Sequence, residues 1–352
     1  MTSKLLPLQT LWRIVSEVDL DAIRQEAEGT FRILVAGEDP ELTRRLAGLL
    51  SSPDGSFVHP WLILASLPVT IDELAELGSL DLAILVTAQP DPSPELRATQ
   101  ETLARAQVPT VLVLVGAAEG PSLLVHWAGV HRVIVPELSP EAVQEQVAPA
   151  ILETVPALTL ALARQLPPLR PAAFQRLIHE TAQSNATYAF STGIAEIIPA
   201  LNIPLNVSDL VVLTKNQLLM SYKIALAAGK RGTPGELMGE IVSVIGGGLF
   251  FRQLARQLVG LVPVWGIVPK VAVAYAGTWV IGQIVVRWAT EGRLLSAEDV
   301  RGLYGEALAR GRQVAQELVA RQRERIQSRS GKAEVERRGR FWQRLRRWIP
   351  GD

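Results

Sequence analysis

The stretch most able to do chemistry is Ile33-Leu34-Val35-Ala36-Gly37-Glu38-Asp39-Pro40-Glu41-Leu42-Thr43, an apolar run, a short loop and the start of a helical pattern. A loop in this position can cradle phosphate, because bare backbone N–H groups at a helix N-terminus attract an anion. A Walker A loop needs two glycines spaced by four residues, then Lys and Ser or Thr. Here Gly37 stands alone, and Glu38, Asp39 and Glu41 bring three carboxylates. Pro40 has no N–H to donate, and a carboxylate capping the helix repels a phosphate. The degenerate loop of Gly37, Glu38, Asp39 and Thr43 is the candidate cofactor-binding position, and it is expected to hold no phosphate. Its acids could hold Mg²⁺, but helix capping accounts for them.

Other reactive constellations do not assemble. Cysteine is absent, which removes disulfides, thiolate nucleophiles and iron–sulfur clusters. His59, His126, His131 and His179 lack H-E-x-x-H or any helical i, i+4 ligand pairing. There is no G-x-S-x-G elbow. Gly246-Gly247-Gly248 has no strand before it, so close helix packing explains it better than a dinucleotide loop. Asn185, Asn216 and Gln217 read as interhelical hydrogen-bonding positions. No catalytic residue, metal site or cofactor is assigned.

The elements that would position the loop are those of an α/β domain. Apolar runs at Phe31–Ala36, Phe57–Ser66, Leu80–Thr87, Pro109–Val115 and Arg132–Pro136 alternate with helix starts. Asp39-Pro40-Glu41, Ser93-Pro94-Glu95 and Ser139-Pro140-Glu141 each place a capping side chain before proline, and Thr70 with Glu73 has capping-box spacing. Near-continuous apolar strands imply a parallel five-stranded sheet covered on both faces, Rossmann-like or P-loop-like, over 31–157. A helix at about Leu11–Ala27 precedes it, within an N-terminal stretch 1–30.

From 158 to 295 the pattern becomes helical, with helices over Ala172–Leu201 and Val207–Ala228 and a third capped by Thr233-Pro234-Gly235-Glu236. Leu258–Val286 contains one charge, Lys270, and is broken by Gly260, Pro263, Gly266 and Pro269. It reads with the preceding residues as an apolar hairpin over 236–288, turning near Trp265. Its small residues suit close helix contact either in lipid or inside a soluble bundle.

The last segment, 296–352, opens with a cap at Ser296-Ala297-Glu298-Asp299 and ends in a basic tail. The chain of 352 residues balances 35 Lys and Arg against 35 Asp and Glu. The window 320–349 nevertheless holds eleven basic residues against Glu324, Glu334 and Glu336. Phe341, Trp342, Leu345, Trp348 and Ile349 recur on one helical face, with Arg337, Arg338, Arg340, Arg344, Arg346 and Arg347 around it. That is the pattern of an interfacial helix on anionic lipid. Nucleic acid is the other anionic partner, but no reading motif accompanies the tail. A solvated or protein-binding tail is the third possibility. Met1–Ser3 and Lys4 do not make a signal peptide.

Residues 165–305 resemble the domain of unknown function in YcjF-like proteins. The resemblance rests on Leu166-Pro167, Leu177-Ile178-His179-Glu180-Thr181-Ala182, Asn185-Ala186 and Ile203-Pro204-Leu205. It continues through Asp209–Gln217, Met220, Ile224, Gly229, Arg252-Gln253-Leu254-Ala255 and Val262-Pro263-Val264-Trp265-Gly266, with Val18–Ile23 as a similar lead-in. It implies an association with bacterial membranes and a preceding Era-like GTPase domain. The α/β domain then resembles a degenerate P-loop GTPase, because neither Gly-Lys nor Asn-Lys-x-Asp is present. Ile33–Leu42 and Val130–Val143 also resemble a response-regulator receiver, in which Val86 and Val135 replace the phosphoacceptor Asp and the Lys. Both resemblances retain a fold and lose its chemistry.

The expectation is a non-enzymatic scaffold or interaction protein on the cytoplasmic face of the cell membrane, meeting an anionic membrane surface and a protein partner or second copy. A divergent GTP-binding switch and a soluble pseudo-receiver are the alternatives.

Overall fold

A computed structural model describes residues 18–89, 91–116, 127, 129–197, 207–246 and 267–346, with side chains omitted at 193–197, 207–210, 246, 267, 297 and 325–346. Helix α1 (Leu20–Glu28) leads into β1 (Ile33–Gly37), α2 (Pro40–Ser51), β2 (Leu62–Ala65) and α3 (Ile71–Leu77). Then follow β3 (Leu82–Thr87), α4 (Pro94–Arg105), β4 (Thr110–Val115) and β5 (Val130–Val135). The α/β expectation holds, as does a helical region after it.

The sheet is parallel throughout, in the order β2-β1-β3-β4-β5. Strand β1 therefore lies between its sequence successors, an order shared by flavodoxin-like and receiver sheets. The register sets Gly37 opposite Val86 and Ala36 opposite Ala65. Strands β1 and β3 are buried along their whole length, as a sheet covered on both faces requires. On one face Leu34, Ala36, Ala83, Leu85, Leu112 and Leu114 pack with Leu74, Leu96 and Leu103 of α3 and α4.

The caps follow the sequence closely. Asp39, Ser93 and Ser139 each accept a backbone N–H ahead of a proline, and Thr70 with Glu73 closes a reciprocal capping box. Two boundaries differ from the sequence expectation. Helix α1 begins at Leu20, because the Asp19 side chain caps Ala22 N at 2.9 Å; residues 1–17 lie outside the described chain. The run Phe57–Ser66 yields a strand only at Leu62–Ala65, since a turn from His59 O to Leu62 N delays pairing.

After the sheet come α5 (Pro140–Thr154), with a π-helical stretch at Val143–Val147, and α6 (Thr159–Gln165). The long helices are α7 (Arg170–Ile197), α8 (Val207–Ala227), α9 (Pro234–Gly246), α10 (Ile267–Glu291) and α11 (Ala297–Arg346). Two compact units emerge, one from 1–180, 214–251 and 281–295, the other from 181–213, 252–280 and 296–352. The whole sheet lies in the first. In the second, Ala182, Ala186 and Phe190 of α7 pack on Val271 and Tyr275 of α10 and Ala315 of α11. A Cβ on Gly311 would come within 2.7 Å of Ala272 O, so glycine permits the close approach of α11 to α10 there.

Helices α9 and α10 cover the described residues of the 236–288 segment expected to form an apolar hairpin, and 247–266, with the expected turn near Trp265, lies outside the described residues. Val268–Glu291 is long and apolar enough to cross a membrane, with a mean hydropathy of 1.3, yet 72% of its apolar window is buried within the protein. Helix α11 runs without a break through Gly331 to Arg346.

Candidate functional site

An open cleft of about 500 Å³ lies at the C-terminal ends of β1, β2 and β3. In doubly wound sheets this is where the strand order reverses and where ligands bind. Its walls come from Gly37 at the end of β1 and Glu38 after it, Pro40, Thr43 and Arg44 of α2, Leu64 and Ala65 of β2 with Ser66 and Leu67 beyond it, and Gln89, Ser93 and Glu95 after β3. Three of the four sequence-nominated residues, Gly37, Glu38 and Thr43, therefore line one cleft, and Asp39 caps the adjoining helix.

The cleft is built to satisfy itself. The Thr87 hydroxyl donates to one Glu38 oxygen, and Ser93 N–H donates to the other at 2.5 Å. Gln89 N–H donates to Thr87 Oγ1 at 2.9 Å, so one carboxylate fastens the β3–α4 loop to β1. Asp39 Oδ1 accepts from Glu41 N at 2.8 Å, while Thr43 N–H and its hydroxyl both donate to Asp39 O. At α4, Ser93 Oγ accepts from Leu96 N at 3.2 Å.

A phosphate would need free amides at these two helix starts. Each has a proline at its first position, and the Glu41, Thr43, Leu96 and Arg97 amides already have partners within the chain. Arg44 is 3.6 Å from Glu41 and largely exposed. Against the one exposed guanidinium, Arg44, the cleft sets the carboxylates Glu38 and Glu95.

Val86, opposite Gly37 at the end of β3, is fully buried. An aliphatic side chain there supplies no nucleophile. The contribution of Thr87 and of the Ser93 amide was not legible in the sequence. The hint available was that Thr87 closes the Leu80–Thr87 run, where a strand-end side chain reaches the neighbouring loop.

Among the described residues the histidines do not converge. His59 sits among Phe31, Phe57 and Trp61 and accepts from Trp61 N at Nδ1, 3.3 Å away. His131, on β5, lies 3.9 Å from Glu153, while His179 is exposed on α7 and His126 lies outside the described residues. Among the described residues no three His, Asp or Glu side chains form a metal cluster. Asn185 is fully buried and donates to Thr278 Oγ1 at 2.8 Å, the interhelical hydrogen bond expected of it.

The tail nominated for membrane contact falls on α11 as far as Arg346. The helical backbone there gives Phe341, Trp342 and Leu345 the spacing i, i+1 and i+4 on one side. Arg347, Trp348 and Ile349 lie outside the described residues.

No family model, curated protein or solved structure matches the chain. The likeness to YcjF-like domains therefore rests on the residues quoted for it.

Proposed function

We propose that this chain is a non-enzymatic interaction protein held at anionic membranes by its C-terminal helix, with an α/β domain that has kept a ligand-binding architecture and lost its chemistry. The observation that carries the chemical half is the Glu38 carboxylate, which is bonded to Thr87 and Ser93 at the site where a nucleotide or phosphoryl group would sit. Pro40 and Pro94 remove the first amide of each helix facing that site.

The strand order favours a receiver-like over a GTPase-like reading of this domain, because β1 flanked by β2 and β3 is the receiver arrangement. Val86 and Val135 then stand where phosphotransfer would need carboxylate and ammonium. The membrane half rests on the tail: residues 337–346 lie on continuous helix, with their apolar positions on one side and arginines around them.

Titration calorimetry with GTP, GDP, ATP and inorganic phosphate tests the chemical half. The expected result is no heat of binding for any of them. Micromolar binding of GTP would instead support a divergent switch protein.

A further inference from the structure

Strand β2 is an outermost strand of the sheet and pairs only with β1. An open edge of this kind is commonly blunted with lysine. Here no Lys or Arg occurs between Arg45 and Arg97, while Asp54, Asp72, Glu73, Glu76, Asp91 and Glu95 all fall in that interval. The large apolar side chains exposed among the described residues concentrate here too: Phe57 at 49%, Leu64 at 40% and Ile71 at 59%, with Leu294 the one other. The β2 edge and the outer side of α3 thus combine an unpaired backbone, exposed apolar groups and the exposed carboxylates Asp72, Glu73 and Glu76, while Asp91, beyond β3, is paired with Arg97. Their complement is a segment that is both apolar and basic.

The chain carries such a segment. Within 320–349 eleven basic residues face three acids, and the Phe341, Trp342 and Leu345 positions share a side of α11. Zero net charge therefore hides two opposed surfaces. We infer that the acidic β2–α3 edge receives the basic C-terminal tail of a second copy of this chain. The inference rests on reading that tail as a module for anionic surfaces. Anionic lipid and the acidic edge would then compete for the same arginines, so the chain would self-associate away from membranes and separate on them. Because the two contacting patches differ, the contact is heterologous and adds copies with concentration. Its charge pairs are solvent-exposed and must weaken with salt.

The test is sedimentation velocity of the full chain over a range of concentrations at low and high salt. It is repeated for a chain lacking 337–352 and for Asp72→Lys with Glu76→Lys, both exposed on α3. Glu73 is left in place because it closes the α3 cap. The full chain should associate at low salt and dissociate at high salt. Either change should weaken association about tenfold or more, and adding Arg340→Glu with Arg344→Glu to the lysine variant should restore it. A full chain that stays monomeric at every concentration would overturn the inference, as would a truncated or lysine variant that associates like the parent. Pelleting of the full chain with phosphatidylglycerol vesicles separates the two readings. A full chain that pellets with the vesicles but does not self-associate leaves the lipid reading standing and the inference refuted. A full chain that self-associates without pelleting does the reverse.

Discussion

Gly37 approaches Val86 so closely that a Cβ on Gly37 would lie 2.5 Å from the Val86 carbonyl oxygen and 2.6 Å from the Thr43 hydroxyl. The lone glycine of the loop is thus explained by packing between β1, β3 and α2, without a phosphate. Gly37→Ala is expected to destabilise the chain by about 1–3 kcal/mol, since the obstructing atom is backbone and cannot rotate away. Gly302 on α11 has open space around its Cα, so Gly302→Ala should stabilise by about 0.5–1 kcal/mol. Urea unfolding of both variants gives the measurement, and opposite signs are the expected outcome.

Glu38 anchors the β3–α4 loop. Replacing it with alanine removes the acceptor for both the Thr87 hydroxyl and the Ser93 amide. The expected loss is about 1–3 kcal/mol, with a smaller loss for Glu38→Gln, which keeps one acceptor oxygen. Hydrogen exchange at the Ser93 amide should accelerate in Glu38→Ala ahead of the strand amides. Unchanged exchange there would show that the loop is held by other contacts.

How legible this was depends on sequence distance. The caps at Asp39, Ser93, Thr70 and Ser296 involve partners two or three residues away, and short-range chemistry is visible in a single sequence. The Glu38 bonds span 49 and 55 residues and exist only because β1 and β3 pair in one register. Nothing local to Glu38 signals them. The strand runs were readable because β1 and β3 are buried throughout and, up to Thr87 at the end of β3, carry no polar side chain. The strand is shorter than the Phe57–Ser66 run because Phe57, His59 and Trp61 are ring-bearing for a different reason: His59 stacks on Phe31 and meets Phe57 and Trp61 at a tilt or edge-on, beside the strand's start.

That aromatic group gives a pH dependence. Burial holds the His59 imidazole below its ordinary value, and its Nδ1 accepts the Trp61 N–H, which a proton there would prevent. As pH falls through the ordinary imidazole value of about 6.5, the unfolded chain takes up the proton first. The His59 contribution is therefore complete above that value and declines below it, toward the lower folded value. The urea midpoint should fall between pH 7 and pH 5, and His59→Phe should flatten that part of the profile. A profile identical in both chains would remove His59 from the account.

The central claim is that the C-terminal tail holds this protein at anionic membranes while the α/β domain does no chemistry. Co-sedimentation with phosphatidylglycerol-containing and purely phosphatidylcholine vesicles, at low and high salt, tests it on the full chain and on a chain lacking 337–352. The deletion removes Arg337, Arg338, Arg340, Arg344, Arg346 and Arg347 together with the Phe341, Trp342, Leu345, Trp348 and Ile349 positions. Each arginine near the surface contributes about 1 kcal/mol, and salt screens that attraction while leaving apolar burial intact. The account predicts that the full chain prefers anionic vesicles, that salt reduces the preference, and that truncation abolishes it. Equal binding of both chains to both lipids at every salt concentration would contradict it.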